Sequence, residues 1–207
     1  MIRLFQAFVR LTGFLPAFVC FRTKVSYEDR SAQGRHISGP AIIVSNHTSV
    51  YDYAVMLFVF LTRTLRYQMA EVVLDKKVLG PFLRLMGGIR IDRRAHEFSF
   101  MDESLSVLRQ GGVVGIFPEG RLPLKGETPP NPFLPGAAML SLTSGVKVIP
   151  VWTNGSYFCL KRARVVIGRP MDPEDYAGPG LTEKERLLRY SAAMRERVVR
   201  LKELADG

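Results

Sequence analysis

The sequence predicts an α/β protein of one domain, a central mixed sheet flanked by helices, with a membrane-associating helical segment at its N-terminal end. Three observations carry that expectation. Six short runs rich in β-branched residues recur along the chain, stretches of helical periodicity alternate with them, and 207 residues suit one hydrophobic core. Hydrophobic residues make up 47% and charged residues 23%, which excludes the polar, charge-dense composition of a disordered chain.

Residues 1–21 are strongly apolar but contain Arg3, Gln6, Arg10 and Thr12, and Pro16 interrupts them. A spanning helix needs about 20 predominantly apolar residues, so no span is expected. Arg10 lies inside the apolar stretch and no small-x-small site follows, which argues against a signal peptide. The expected form is a kinked interfacial anchor. Leu4, Phe5, Phe8, Val9, Leu15, Phe18, Val19 and Phe21 would enter the lipid boundary, while Arg3, Arg10, Arg22 and Lys24 meet lipid phosphates. The alternative reading is a terminal helix packed on the core. Residues 27–40 are polar and contain glycine, so residues 1–36 read as anchor and connection and residues 37–207 as the domain.

The strand-like runs are 41–44, 65–69, 88–91, 113–117, 146–151 and 164–167. Residues 50–61 are apolar on every side apart from Asp52, whereas 98–109 and 136–143 have the pattern of half-buried helices. Residues 121–135 are rich in proline and read as a long loop near the site. Thr182 and Glu185 have capping-box spacing, and Leu187, Tyr190, Met194, Val198 and Leu201 follow at helical spacing. The opposite face of that helix carries Arg186, Arg189, Arg197 and Arg200, suited to solvent or to a membrane.

The net charge of +10 favours anionic partners: phosphorylated substrates, nucleic acid or acidic lipid. Two cysteines, Cys20 and Cys159, supply neither a metal-type spacing nor a disulfide framework, so no metal is expected and a reducing, cytoplasmic setting fits.

Four constellations could carry chemistry. His47 follows the strand 41–44, and Asp52 lies one turn into the next helix. There it could hold one ring nitrogen while the other removes a proton from a hydroxyl. Ser49 and Asp52 also have capping-box spacing, so Asp52 could simply cap the helix. The run from Gly88 to Arg93 is an alternating strand ending in Asp92 and Arg93, where Arg93 suits a phosphate or an ion pair with Asp92. Phe117-Pro118-Glu119-Gly120-Arg121 lies at another strand end. Glu119 could place a hydroxyl or a basic partner, Gly120 allows close approach and Arg121 adds a phosphate ligand, or the segment is a plain turn. In Val148-Ile149-Pro150-Val151 the proline marks an edge, a bulge or a strand end.

Taken in this order, the four blocks resemble the glycerophosphate and lysophosphatidic acid acyltransferase family, whose members share a histidine and an aspartate separated by four residues. The match includes Phe133 and Gly136 before the fourth block and covers about residues 37–167. The resemblance implies that His47 is the general base and Asp52 its orienting partner. It also implies that Arg93, Glu119 and Gly120 bind the glycerophosphate end, with Gly88 and Arg121 beside them, and that Ile149, Pro150 and Val151 shape the acyl side. The donor would be acyl-coenzyme A or acyl carrier protein, acting as co-substrate with no other cofactor. The acceptor would be a lysophospholipid, by default 1-acyl-sn-glycerol-3-phosphate, at the cytoplasmic face of a membrane with anionic lipids. Another lysolipid, including an amide-linked one, would fit the same blocks. Arg121 departs from the family pattern, in which a threonine separates the glycine from the arginine. Arg90 departs by standing at a usually apolar strand position.

Two rival classes have their own signals. A serine hydrolase would need a Gly-x-Ser-x-Gly elbow, which the sequence lacks. A basic lipid- or nucleic-acid-binding module without turnover would suit the charge, but no zinc-finger or aromatic-basic nucleic-acid motif is present, and nucleic acid is not an expected partner.

Overall fold

The computed structural model describes residues 1–92, 99–158, 162–176, 178 and 180–206. In chain order these form α1 (Ile2–Phe21), β1 (Lys24–Tyr27), β2 (Ala41–Ser45), α2 (Asp52–Val59), β3 (Leu65–Ala70), α3 (Glu71–Leu74), α4 (Leu79–Leu85) and β4 (Ile89–Ile91). There follow α5 (Ser99–Arg109), β5 (Val113–Ile116), α6 (Gly136–Ser144), β6 (Val148–Thr153), β7 (Arg164–Ile167), a 3-10 turn (Pro173–Tyr176) and α7 (Glu183–Asp206). The strands build one sheet in the order β1-β7-β6-β2-β5-β3-β4. All neighbours are parallel except β6 and β7, so the sheet is mixed, as expected.

Strands β2, β5 and β6 are buried along their whole length, which is why they read as continuous apolar runs. With Tyr67 of β3, their side chains feed two cores. Ile43, Tyr67, Val113, Ile149 and Val151 pack under α1 and α2, whereas Ile42, Val44, Val114, Ile116 and Val148 pack under α5, α6 and α7. Helix α7 closes the second face with Tyr190, Met194, Val198 and Leu201, the apolar positions its spacing predicts. The Thr182–Glu185 box forms in both directions: Thr182 N–H donates to Glu185 Oε2 at 2.8 Å and Glu185 N–H to Thr182 Oγ1 at 3.3 Å.

Helix α1 runs from Ile2 to Phe21 without a break at Pro16, and among the described residues it alone is long and apolar enough to cross a membrane. One side of it is bound into the domain. Gln6 is fully buried; its amide nitrogen donates to the carbonyls of Leu65 and Met86, and its oxygen accepts Leu65 N–H. Arg10, expected to meet lipid phosphates, instead donates to the carbonyls of Leu57, Phe60 and Arg63 and satisfies the open C-terminal end of α2. The packed reading of this segment therefore holds, with Phe21 buried in the core, while Leu4, Phe8, Leu11, Phe14, Leu15 and Phe18 are left exposed on the other side of α1.

The sheet begins before residue 37, because Lys24–Tyr27 pairs with β7; Lys24 is the first residue of that edge strand, opposite Arg164. Four partly exposed residues give too short an alternation to read as a strand. Helices α3 and α4, of four and seven residues, likewise fall below the length at which helical periodicity is legible. Pro150 lies in an interior strand rather than on an edge. The irregularity it signals is on the partner: Val151 pairs with Ile167 but Val148 bridges Met171, so the β7 side carries one extra residue opposite the proline.

Candidate active site

The site is assembled where β2 and β5 end, at the carboxyl edge of the parallel strands. Immediately after β2, the Asn46 side chain replaces a strand pair: Nδ2 donates to Thr153 O and Oδ1 accepts Thr153 N–H, both at 2.8 Å. This fixes the backbone that presents His47. The imidazole stacks on Phe117, the residue after β5, with centroids 4.3 Å apart and planes 10° from parallel. Its Nδ1 lies 2.8 Å from Asp52 Oδ2, and the histidine side chain remains 19% exposed while that of Asp52 is fully buried.

Asp52 opens α2, where the helix dipole favours an anion. Its Oδ2 also accepts the N–H groups of Thr48 at 2.7 Å and Ser49 at 2.9 Å, and its Oδ1 accepts the hydroxyls of Thr48 at 3.0 Å and Tyr157 at 2.6 Å. Both readings of the residue therefore coexist, since Asp52 caps the turn and holds the histidine. An ionised carboxylate only accepts, so Nδ1 carries the imidazole proton and Nε2 is left with the lone pair that can take another. Burial, and after it the charge of Asp52, pushes the Tyr157 phenol up, so it stays a donor at any physiological pH.

Glu119 is 6% exposed and both of its oxygens are engaged by backbone: Oε1 accepts His47 N–H at 2.7 Å and Oε2 accepts Asn131 N–H at 2.6 Å. Burial raises its pKa, and these two N–H groups oppose the rise. Instead of presenting a free carboxylate to substrate, as expected, it ties the histidine turn to the loop 121–135. Gly120 follows at φ +70°, the left-handed region in which glycine alone is unstrained. Arg121 turns to Glu127, with both guanidinium nitrogens at 2.7 Å from its carboxylate oxygens, and does not stand free as a phosphate ligand.

The remaining expected residues are spread more widely. Gly88 lies under the α4 turn, where a Cβ would come within 2.9 Å of the Met69 sulfur, so it serves packing. Arg90, at its usually apolar strand position, binds Asp75 through both terminal nitrogens, at 2.5 and 3.1 Å. Arg93 lies outside the described residues. Ile149, Pro150 and Val151 are buried in the sheet, with Ile149 and Val151 in the core beneath α1 and α2. An open apolar depression of about 200 Å³ lies beside that core, lined by Gly13, Pro16, Ala17, Cys20, Phe21, Phe58 and Phe158. The Phe158 ring meets that of Tyr51, next to Asp52, at 4.5 Å.

Sequence reasoning missed the loop after β6. Tyr157 reaches Asp52 from 105 residues away, bonds Thr153 Oγ1 at 3.0 Å and packs its ring edge-on against Phe21 of α1 at 5.5 Å. Gly155 sits so close to Thr48 that a Cβ would fall 2.4 Å from its hydroxyl. In the sequence this loop is a Gly-Ser-Tyr-Phe run at 155–158, separated from the fourth block by Trp152, Thr153 and Asn154, with no spacing that points to Asp52.

A family model described as acyltransferase matches residues 22–154, a stretch that contains His47, Asp52, Phe117 and Glu119. The chain belongs to the acyltransferase family. Two curated relatives are named 1-acyl-sn-glycerol-3-phosphate acyltransferase. That of Bacillus subtilis (strain 168) is 24% identical over 170 residues, covering 80% of this chain and 82% of its own. That of Borreliella burgdorferi is 30% identical over 118 residues, covering 53% of this chain and 44% of its own. The crystal structure of the 1-acyl-sn-glycerophosphate (LPA) acyltransferase PlsC from Thermotoga maritima shares the fold, with a TM-score of 0.66 at 21% identity over 99% of this chain and 79% of that one. This acyltransferase is thus an enzyme, and its His47–Asp52 pair has the geometry of a general base.

Proposed function

We propose that the protein transfers a fatty acyl chain from a thioester, acyl-coenzyme A or acyl carrier protein, to the free hydroxyl of 1-acyl-sn-glycerol-3-phosphate, giving phosphatidic acid at a membrane surface. The observation that carries this reading is the His47 ring, held through Nδ1 by a buried carboxylate and stacked on Phe117 so that Nε2 can meet an alcohol. In this reading His47 Nε2 takes the acceptor's proton as its oxygen bonds to the thioester carbonyl carbon. The tetrahedral adduct then collapses, the carbon–sulfur bond breaks, and the departing thiolate receives the proton from His47. Asp52 stabilises the transient imidazolium. No acyl-enzyme is involved. The names of the two relatives support the acceptor, and the apolar depression beside Phe158 suits an acyl tail. The exposed apolar side of α1 supports work at a membrane. Because Gln6 and Arg10 bind the other side, α1 in this reading lies along the surface of the cytoplasmic leaflet rather than across the bilayer.

The test is a matrix assay of purified protein in detergent, crossing acyl-coenzyme A and acyl carrier protein donors with several lysolipid acceptors. Acceptor-dependent thiol release, greatest with 1-acyl-sn-glycerol-3-phosphate, is expected, and folded His47→Ala should lose about 10²- to 10⁴-fold in turnover. Release of free fatty acid without acceptor would make the protein a hydrolase. Binding without turnover across the panel would make it a lipid-binding module.

A further inference from the structure

The exposed apolar side chains are unevenly distributed. Helices α5, α6 and α7, which cover one face of the sheet, contribute two large exposed hydrophobic residues among those described, Leu188 and Leu204. Most of the rest are on α1 and on the neighbouring segment α3–α4, so α1 accounts for only part of the exposed apolar band. Helix α4 lies beside α1 there: the ring of Phe5 meets that of Phe82 edge-on at 5.7 Å, and Gln6 bonds the Met86 carbonyl just past the end of α4. On α4 and the turn before it, Val78 is 87% exposed, Phe82 40% and Leu85 39%, and Val72 on α3 is 66% exposed. Such a band on a soluble surface marks a contact with something apolar.

The charges beside the band indicate what covers it. Lys76 and Lys77 are exposed in the same turn as Val78, while the neighbouring Asp75 is engaged by Arg90 and Arg84. Cations rimming an apolar face match the boundary of an anionic bilayer, where ammonium groups meet phosphates and side chains enter the acyl region. Helix α3 begins where β3 ends, at the same edge of the sheet as His47.

We infer that the α3–α4 segment, residues 71–85, is a second membrane-docking element that lies with α1 on an anionic bilayer surface, Val78, Phe82 and Leu85 entering the lipid and Lys76 and Lys77 meeting headgroups. The inference rests on the membrane reading of α1 given above. Two neighbouring contacts on one face set the orientation of the protein on the bilayer as well as its attachment, with the His47 edge held at a constant height above the lipid.

Co-sedimentation of the full chain with phosphatidylcholine vesicles, with and without phosphatidylglycerol, tests it. Val78→Ser with Phe82→Ser should lower partitioning to both vesicles about tenfold or more. Lys76→Gln with Lys77→Gln, at exposed positions that leave the fold intact, should lower it several-fold only where phosphatidylglycerol is present. Both variants binding as the wild type does would overturn the inference while leaving α1 as an anchor. Failure of the wild type to bind either vesicle would instead remove the membrane reading itself. A wild-type dimer that the serine variant converts to monomer, with vesicle binding unchanged, would assign this face to a second copy and overturn the proposal.

Discussion

Replacing Asp52 by asparagine removes a charge from the site while keeping its shape. Oδ2 accepts three hydrogen bonds, from His47 Nδ1 and from the backbone N–H groups of Thr48 and Ser49. An amide NH2 at that corner would point hydrogens at two fixed donors, so the amide oxygen takes the place of Oδ2. The NH2 then faces the hydroxyls of Thr48 and Tyr157, which rotate to accept. His47 therefore keeps its proton on Nδ1, and what disappears is the charge opposite the imidazolium. Two unit charges at about 4 Å interact by about 4 kcal/mol at an effective dielectric constant near 20. With about 1.4 kcal/mol per tenfold in rate, kcat should fall about 10³-fold. That is less than the roughly 10⁴-fold loss where an aspartate-to-asparagine change forces the wrong tautomer. The assay is thiol release from acyl-coenzyme A at saturating acceptor, with thermal melting to confirm folding and ¹⁵N NMR to locate the imidazole proton. A loss smaller than about tenfold, or one confined to KM, would refute the role given to the carboxylate; a proton found on Nε2 would refute the tautomer argument.

Tyr157→Phe keeps the ring against Phe21 but removes the hydroxyl from Asp52. A hydrogen bond to a charged group is worth about 1.5–3 kcal/mol, so kcat should fall between about tenfold and a hundredfold at unchanged KM, and wild-type kcat would sink the assignment. Glu119→Ala unties His47 N–H from Asn131 N–H; a stability loss of about 1–3 kcal/mol by denaturant melting and faster proteolytic nicking within 121–135 are expected, and an unaltered cleavage pattern would show that the loop is held otherwise. Arg121 holds the Glu127 carboxyl down to about 2, below its ordinary 4.5. A lowered carboxylate pKa means that the pairing is fully present above about 4.5 and lost as pH falls towards 2. The ¹³C titration of Glu127 should show that midpoint, and a midpoint at the ordinary value would mean that the pair does not form in solution.

What the sequence disclosed and what it hid divide along chain distance. His47 and Asp52 are five residues apart on a strand end and a helix start, so their meeting is a local matter that spacing alone encodes. The six recognised strands carry β-branched runs, and α7 announces itself through Thr182 and Glu185, again local signals. Tyr157 has no such signal, because its partner is set by how β6 returns beside β2. Charge is equally ambiguous in one dimension: Arg10 reads the same whether it meets lipid phosphate or helix carbonyls, and Arg121 the same whether it faces a ligand or Glu127. Glu119 shows a third limit, since the motif marks the residue as important without saying that its partners are backbone amides.

The amide of Gln6 makes the first helix a working part of the domain, because it hydrogen-bonds the main chain of Leu65, the first residue of β3, and of Met86 after α4. Deleting α1 to obtain a detergent-free protein would strand those main-chain groups away from water and strip cover from the core below. The workable route to such a protein is to repaint the outward side chains, Phe8, Leu11 and Leu15 among them, with polar ones, while Gln6 and Arg10 stay in place.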